Sequence, residues 1–540
     1  MRVQPHDAVR YMLGLAAWRG GNMINGIIDM RSDAAGDVID ADICIIGAGP
    51  AGMTLALELE GTGRRVCLLN SGGQDDSGDA LRGPIDVIGR PYTTLGTSRA
   101  FRLGGTSGLW GGHCVKLSPL EMGERDWIPG SAWPVSHDEL SRYYPRALET
   151  VGLPDADFDA VAVARDMGAK LLPMDSGFEN VVSHYNALDF GKAHAARLAA
   201  APNMAILVNG TATRLVLGDT LDRVAGVTVK VAGGRMRTIH AATVVLAAGG
   251  IENARLLLAS NEQLPAGIGN AHDVVGRYFM DHLGWFRGIL APSRPYDLHA
   301  DYPHYWQQVP FGDHEVRFHV AATDDLARRL RIPQFRAELF LRPLLGWAVR
   351  SVLLRPGSHG RDTIAAAAAE VARHPAGLAR LAAGQRGAPW CFHLCNHVEQ
   401  IPNPSSRVTL SARRDALGEP LAALDWRLSS LDRDGVTRAH AVLADMIARS
   451  GMGRLIWEPE AEGGDIMKGT GASSHHMGTT RMSHSPRAGV VDANSRVHGV
   501  GNLYVAGSSV FPSGGWANPT LTIVALSIRL ADHLKAGHAT

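Results

Sequence analysis

The chain has 540 residues, 45% of them hydrophobic and 20% charged, the make-up of a globular enzyme with more than one domain. Its 53 basic and 53 acidic residues balance, which excludes a general attraction to nucleic acid or anionic membrane, and no nucleic-acid recognition module is present. No apolar run approaches the roughly 20 residues that span a bilayer. The five cysteines are too few for a disulfide framework, and Cys44 and Cys67 lie in apolar runs where a thiol packs as a small hydrophobe, which suits a reducing, cytoplasmic setting.

In chain order, Tyr11 to Trp18 is a short apolar stretch without a small-residue cleavage site. It reads as part of an N-terminal extension, residues 1–36, in which Met23 and Met30 are alternative starts. The fold signal begins near Asp40. Ala41 to Ile46 is an apolar strand running into a glycine turn, Met53 to Glu60 has helical spacing, and Val66 to Leu69 is a second buried strand. That is the βαβ opening of a dinucleotide-binding sheet. Ser136-His-Asp-Glu139 predicts a capping box at the head of a helix running to about Thr150. Thr243 to Ala248 is another buried strand, with a helix from near Glu252. Leu503 to Ala506 is a short strand, and Pro519 to Leu534 a helix with proline near its start. Between them, Leu326 to Arg355 is rich in arginine and bulky apolar residues and is broken by Pro333 and Pro343. It reads as an inserted helical lid, with a basic surface for a membrane or partner as the rival reading.

Gly47-Ala-Gly49-Pro-Ala-Gly52 joins the first strand to its helix. The first glycine makes the turn, the second lets backbone approach a pyrophosphate, and the third lets helix and strand pack closely. Asn70 stands at the end of the second strand, where an acidic residue usually meets the ribose, so this loop alone leaves FAD and a nicotinamide cofactor open. Leu103-Gly-Gly-Thr-Ser-Gly-Leu-Trp-Gly-Gly112 crowds five glycines around Trp110, as backbone pressed against a large flat ligand requires. Near the C-terminus, Ser474-His475-His476-Met-Gly-Thr479 places paired histidines in a polar, glycine-flanked segment. An imidazole there can accept the proton of an alcohol as hydride leaves the same carbon, and Asn518, just before the proline-opened helix, can orient the hydroxyl. Cys391, His393, Cys395 and His397 share one face of a strand. Same-strand neighbours seldom close a tetrahedron, so that face is expected to line a cavity or pack within its domain, and no metal is expected.

Together these segments resemble the glucose–methanol–choline (GMC) family of flavin oxidoreductases, over residues from about 40 to 538. The likeness rests on the first glycine loop, on Gly104 to Gly112, on Val244-Val-Leu-Ala-Ala-Gly-Gly-Ile-Glu-Asn-Ala-Arg-Leu-Leu257, on Glu399-Gln-Ile-Pro-Asn-Pro-Ser-Ser-Arg-Val-Thr-Leu410 and on the two C-terminal segments. Asn518-Pro-Thr-Leu-Thr522, with Gly507-Ser508 upstream, is most similar to the sugar-oxidising branch that includes pyranose oxidases.

The resemblance implies an α/β fold in which a discontinuous Rossmann-like FAD-binding domain is interleaved with an α+β substrate domain of sheet plus helices. The expected division is 37–274 with 469–540 for FAD, of which 135–205 contributes to the substrate side. The substrate domain is then 275–468, with a helical insertion at about 326–388. Implied cofactor contacts are Gly47, Gly49, Gly52, Asn70, Gly104, Gly105, Ser107, Trp110, Ala212 through its backbone at the adenine, Gly249, Gly507, Ser508, Pro519 and Thr520. By the family pattern the catalytic histidine falls on His475 rather than His476, and its partner on Asn518. Leu109 stands where some members carry a flavin-linking histidine, so the FAD is expected to be non-covalent; His113 is an anchor only in a different loop register. The implied reaction is oxidation of a CH–OH group, of a sugar, glycoside or polyol, to ketone or aldehyde, with hydride passing to flavin N5. The acceptor stays open between oxygen, a quinone and a partner protein. The rivals are a lyase of the same fold that uses the histidine without net redox, a choline-like or simple-alcohol dehydrogenase, and a flavin-binding partner protein with a vestigial site.

Overall fold

The computed structural model describes residues 26–74, 83–175, 177–293, 301–343, 390–457, 467 and 470–537. Tyr11 to Trp18, Met23 and positions 344–388 of the expected insertion lie outside the described residues.

Two sheets organise the chain. The first runs in the order Gly26–Asp29, Met204–Val208, Val66–Leu69, Val38–Ile46, Met236–Leu246, Val224–Lys230 and Thr211–Leu217, with Leu503–Val505 also paired to Met236–Leu246. Its centre is parallel, with Ile43 to Ile46 in register with Val66 to Leu69 on one side and with Thr243 to Leu246 on the other. Every residue of Val66–Leu69 is buried, as expected of a strand covered on both faces. Helix Pro50–Leu59 packs on strands Val38–Ile46 and Val66–Leu69, and helix Thr520–Ala536 packs on that helix. Strands from both ends of the chain thus meet in one layer, the discontinuous Rossmann-like arrangement.

The second sheet is antiparallel and runs Gly453–Trp457, Leu283–Pro292, Trp390–Val398, Phe335–Pro343, His314–Ala322, Phe178–Tyr185 and His113–Cys114. Its register sets Arg336 opposite His397 and Glu338 opposite Cys395. This is the sheet-plus-helices side of the α/β fold.

Several local expectations need correction. The sheet starts at Gly26, earlier than Asp40, because Gly26–Asp29 adds an edge strand beside Met204–Val208, and Met30 is fully buried. The helix expected from near Glu252 begins at Gly249, whose positive φ of 87° turns the chain directly out of the preceding strand. Ser136 does cap its helix, accepting from the Glu139 backbone N–H at 3.2 Å, but the Glu139 carboxylate binds Arg529 at 2.7 Å instead of closing the box. That helix stops at Ser141, and a second spans Tyr144–Thr150 with Pro145 in its first turn, where a missing N–H costs nothing. The segment read as a lid begins as helix Asp324–Leu330 and then becomes strand Phe335–Pro343. Pro333 prevents the helix from continuing, and Phe335, Ala337 and Leu339 after it are buried in the sheet.

Candidate functional site

A cavity of about 680 Å³ lies between the two sheets. One end is formed by the turns that leave the parallel strands. Gly47 has a φ of 113°, and a Cβ there would sit 2.4 Å from the Ala247 carbonyl oxygen. A Cβ on Gly52 would lie 1.9 Å from the Gly47 oxygen, so this glycine lets helix approach strand. Gly49 meets nothing within 4 Å and borders the cavity, which leaves backbone open to a ligand. These three behave as a phosphate-binding turn requires.

Most residues singled out in the sequence converge here. Gly47, Gly49, Asn70, Gly105, Trp110, Ala212, Gly249, Gly507, Ser508, Pro519 and Thr520 line the cavity, as do His475 and Asn518 at its far end. Gly52, Gly104 and Ser107 stand behind the wall. The Gly104 N–H donates to Ala48 at 2.9 Å, while Ser107 Oγ donates to the Gly104 carbonyl at 2.6 Å and accepts from the Phe190 N–H at 3.0 Å. Asn70 Nδ2 donates to the Gly72 carbonyl at 2.9 Å, which leaves the amide oxygen for another partner. Trp110 is fixed by a bond from Nε1 to the Leu188 carbonyl at 3.0 Å. Leu109 is exposed at the cavity, and His113 also lines it while contacting Tyr185 and Arg336. A cavity of this volume that is lined by a glycine phosphate turn and by Asn70 and Ala212 suits FAD.

The far end is made of side chains. Met280 and Met477 exchange backbone hydrogen bonds at 3.0 Å, and in that antiparallel register His282 falls beside His475. Their Nδ1 atoms are 2.7 Å apart. His475 Nε2 is 3.2 Å from Asn518 Nδ2. Asp281 accepts the backbone N–H groups of Ser473 at 3.1 Å and His475 at 3.0 Å, and also the Tyr92 hydroxyl. The segment bearing Asn518 is held from beneath by two carboxylates: Glu399 accepts from the Gly515 N–H at 3.1 Å and Glu121 from the Trp516 N–H at 2.7 Å. Glu399 is paired with Arg125 at 2.6 and 2.7 Å, both fully buried.

Burial dominates the electrostatics. It holds His475 well below the usual imidazole range, helped by His282, His397 and Arg336, and lowers His282 to about 4 and His397 to about 3. His476 is lowered to about 3 and packs against Tyr92 and Phe279. Burial raises Asp281 to about 6 despite its hydrogen bonds. Burial therefore favours the neutral form of His475.

Asp281, His282, Arg317, Arg336 and Glu338 were not singled out in the sequence. The adjacent Asp281-His282 pair after an apolar Phe279-Met280 was a usable signal; the alternating Arg336 and Glu338 were hidden in a stretch read as a lid. His397 lines the cavity, as expected of its strand face, and its Nε2 faces Glu338 at 3.3 Å. Among the described residues no cluster of His, Cys, Asp and Glu is arranged to hold a metal. No described helix is long and apolar enough to cross a membrane.

Comparison with known proteins agrees with this construction. Two family profiles, each described as GMC oxidoreductase, match residues 155–284 and 402–527. The chain is 24% identical to the fructose dehydrogenase large subunit of Gluconobacter japonicus, over 92% of this chain and 98% of that one. A shorter stretch, 24% of each chain, is 36% identical to a C-glycoside 3-oxidase of Microbacterium trichothecenolyticum. The fold is similar to the crystal structure of pyridoxine 4-oxidase from Mesorbium loti, with a TM-score of 0.57 and 19% identity, covering 93% of this chain and 100% of that one. With the cavity, the turn that walls it and these matches in agreement, the chain belongs to the GMC oxidoreductase family of FAD-dependent enzymes acting on CH–OH donors.

Proposed function

We propose that this enzyme oxidises a secondary or primary hydroxyl of a sugar, glycoside or polyol to the carbonyl, with His475 as general base. The observation that carries this reading is the pairing of His475 Nε2 with Asn518 Nδ2 at 3.2 Å, at the end of a cavity whose other end is a dinucleotide turn. In this reading Gly47 to Ala51 hold the pyrophosphate, Asn70 the ribose, the Ala212 backbone the adenine, and Gly105, Trp110, Pro519 and Thr520 the flavin, without a covalent link. Bound there, FAD supplies the two-electron hydride acceptor at its N5. His475 takes the hydroxyl proton at Nε2, and Asn518 donates to the substrate oxygen and fixes its direction. The imidazole is neutral before the reaction, so it is competent without prior deprotonation. Gln308, Arg317, Glu338, His397 and Ser473 make the nearby wall polar, which favours a polyhydroxylated substrate over a simple alcohol. The names of the relatives, fructose dehydrogenase and C-glycoside 3-oxidase among them, point the same way. The domain division at about 274 and 469 is part of the same proposal.

The test is an anaerobic titration of the FAD-loaded protein with D-fructose, a C-glucoside and a 1,2-diol, following the oxidised flavin band near about 450 nm. One carbohydrate class should bleach it, and His475→Ala should slow bleaching by about 10² to 10⁴ while retaining FAD. A His475→Ala protein that bleaches at the parent rate ends the assignment of the base.

A further inference from the structure

We propose that Arg336 and His282 are positioning residues that hold the proton of His475 on Nδ1, so that Nε2 always presents its lone pair to the cavity. A guanidinium only donates, and Arg336 Nη1 lies 3.0 Å from Asn518 Oδ1. That contact orients the amide with its oxygen toward Arg336 and its nitrogen toward His475; the flipped amide would set donor against donor. An amide nitrogen also only donates, so His475 Nε2, 3.2 Å away, must accept. A neutral imidazole that accepts at Nε2 carries its proton on Nδ1. His475 Nδ1 therefore donates across 2.7 Å to His282 Nδ1. The remaining proton of His282 sits on Nε2, which faces the Gly514 carbonyl at 3.4 Å, a group that only accepts. Reversing any one link leaves two donors or two acceptors in contact, so the sequence from guanidinium to carbonyl has a single solution.

Arg336 is itself held from several sides. Its Nε and Nη2 contact Glu338 at 3.0 and 2.8 Å, and Nη1 and Nη2 contact His113 at 3.2 and 3.4 Å. Glu338 in turn meets Arg317 and His397, each at 3.3 Å. The direction of the guanidinium is thus set by the second sheet before any substrate enters. The role in catalysis rests on the reading of His475 as the base; the tautomer does not.

The groups facing His475 are His282 and Asp281 from the segment before strand Leu283–Pro292, Arg336 with Glu338 behind it, His397, His113, its neighbour His476, and Asn518. Arg336 and the imidazoles oppose a charge on His475, whereas Asp281 accepts its backbone N–H.

The experiment is long-range ¹H–¹⁵N correlation of the imidazoles in FAD-loaded, ¹⁵N-histidine-labelled full chain, with His475→Asn to assign the signal. The parent protein should show His475 as the Nδ1–H tautomer. Arg336→Met and His282→Phe should each shift the tautomer ratio toward Nε2–H by about tenfold, the scale of one lost hydrogen bond. His282→Asn, whose Oδ1 replaces the Nδ1 acceptor, should restore the parent ratio. Arg336→Met should also move the His475 titration to higher pH, and Arg336→Lys should not. A parent spectrum with the proton on Nε2 overturns the proposal whatever the variants do. So do Arg336→Met and His282→Phe proteins that keep the flavin band, the parent ratio and the parent titration. Should Arg336→Met fail to fold, His282→Phe against His282→Asn carries the same comparison. A His475→Ala enzyme that reacts at the parent rate would instead sink the base assignment and leave the tautomer standing, so the two failures are separable.

Discussion

The two ends of the cavity are built from different materials. At the cofactor end the wall is backbone: Gly47, Gly49, Gly105, Gly249 and Gly507 bring peptide groups to the surface, and positive φ values at Gly47 and Gly507 turn the chain there. At the substrate end the wall is side chain: His475, Asn518, Arg336, Glu338 and His397 come from separate segments, and each is oriented by another side chain. The difference teaches where tolerance lies. A backbone wall fails when an atom is added, and a side-chain wall fails when a hydrogen-bonding group is removed.

The sharpest break of the side-chain wall is His475→Ala, with the expected loss of about 10² to 10⁴ in anaerobic flavin reduction at unchanged FAD content. Next is the support beneath Asn518. Arg125→Met strands the buried Glu399 carboxylate and should cost about 3–5 kcal/mol in chemical denaturation, with FAD lost at lower denaturant than in the parent. A stability change near zero there would show that the pair does not hold the loop.

The backbone wall can be split by two alanines. Gly47→Ala forces a Cβ against the Ala247 carbonyl at an unfavourable φ and should destabilise the apoprotein by about 1–3 kcal/mol. Gly49→Ala has open space on the cavity side, so apoprotein stability should change by no more than about 0.5 kcal/mol. Its FAD affinity should nevertheless fall at least about tenfold, since the methyl group takes up ligand space. Equal effects of the two variants on apoprotein stability would remove the distinction.

The pH dependence sharpens the same comparison, because the shifted groups crowd the substrate end. Folding favours neutral His282, His397, His475 and His476 there, and His113 and His319 nearby. Their folded values lie below the unfolded imidazole value, so their contribution is complete above about pH 6.5 and drains as pH falls toward about 4 for His282 and about 3 for His397 and His476. Buried Asp281, raised to about 6, and Glu121, raised to about 7, act oppositely: their contribution is present below the usual carboxylate range and is lost as pH rises to those values. The histidines outnumber the carboxyls. Net stability should fall on acidification below pH 6.5, by about 1.4 kcal/mol per pH unit for each uncompensated site. A melting temperature higher at pH 5 than at pH 7.5 would contradict this account. Smallest of all, Leu109→Ala, at an exposed position, should leave stability within about 0.5 kcal/mol, and the FAD should be released intact on denaturation.

The parallel half of the first sheet and the cofactor turn were legible in the sequence alone, whereas His475 and Asn518 were paired there through the family resemblance of their segments. Glycine turns and fully apolar strands answer to local requirements: a φ sign, a close approach, burial on two faces. Those requirements are met or violated within a few residues, so they can be read from a few residues. Only the tertiary structure decided what stands around His475. His282 is placed by the register between Met280 and Met477, far apart in the chain. Arg336 reaches Asn518 because the second sheet sets strand Phe335–Pro343 beside Trp390–Val398. Pro333 and the arginines around it read locally as a broken lid, since nothing in that stretch reveals that another strand will lie beside it. A hydrogen bond between two side chains depends on the path of everything between them, and that path is what folding alone supplies.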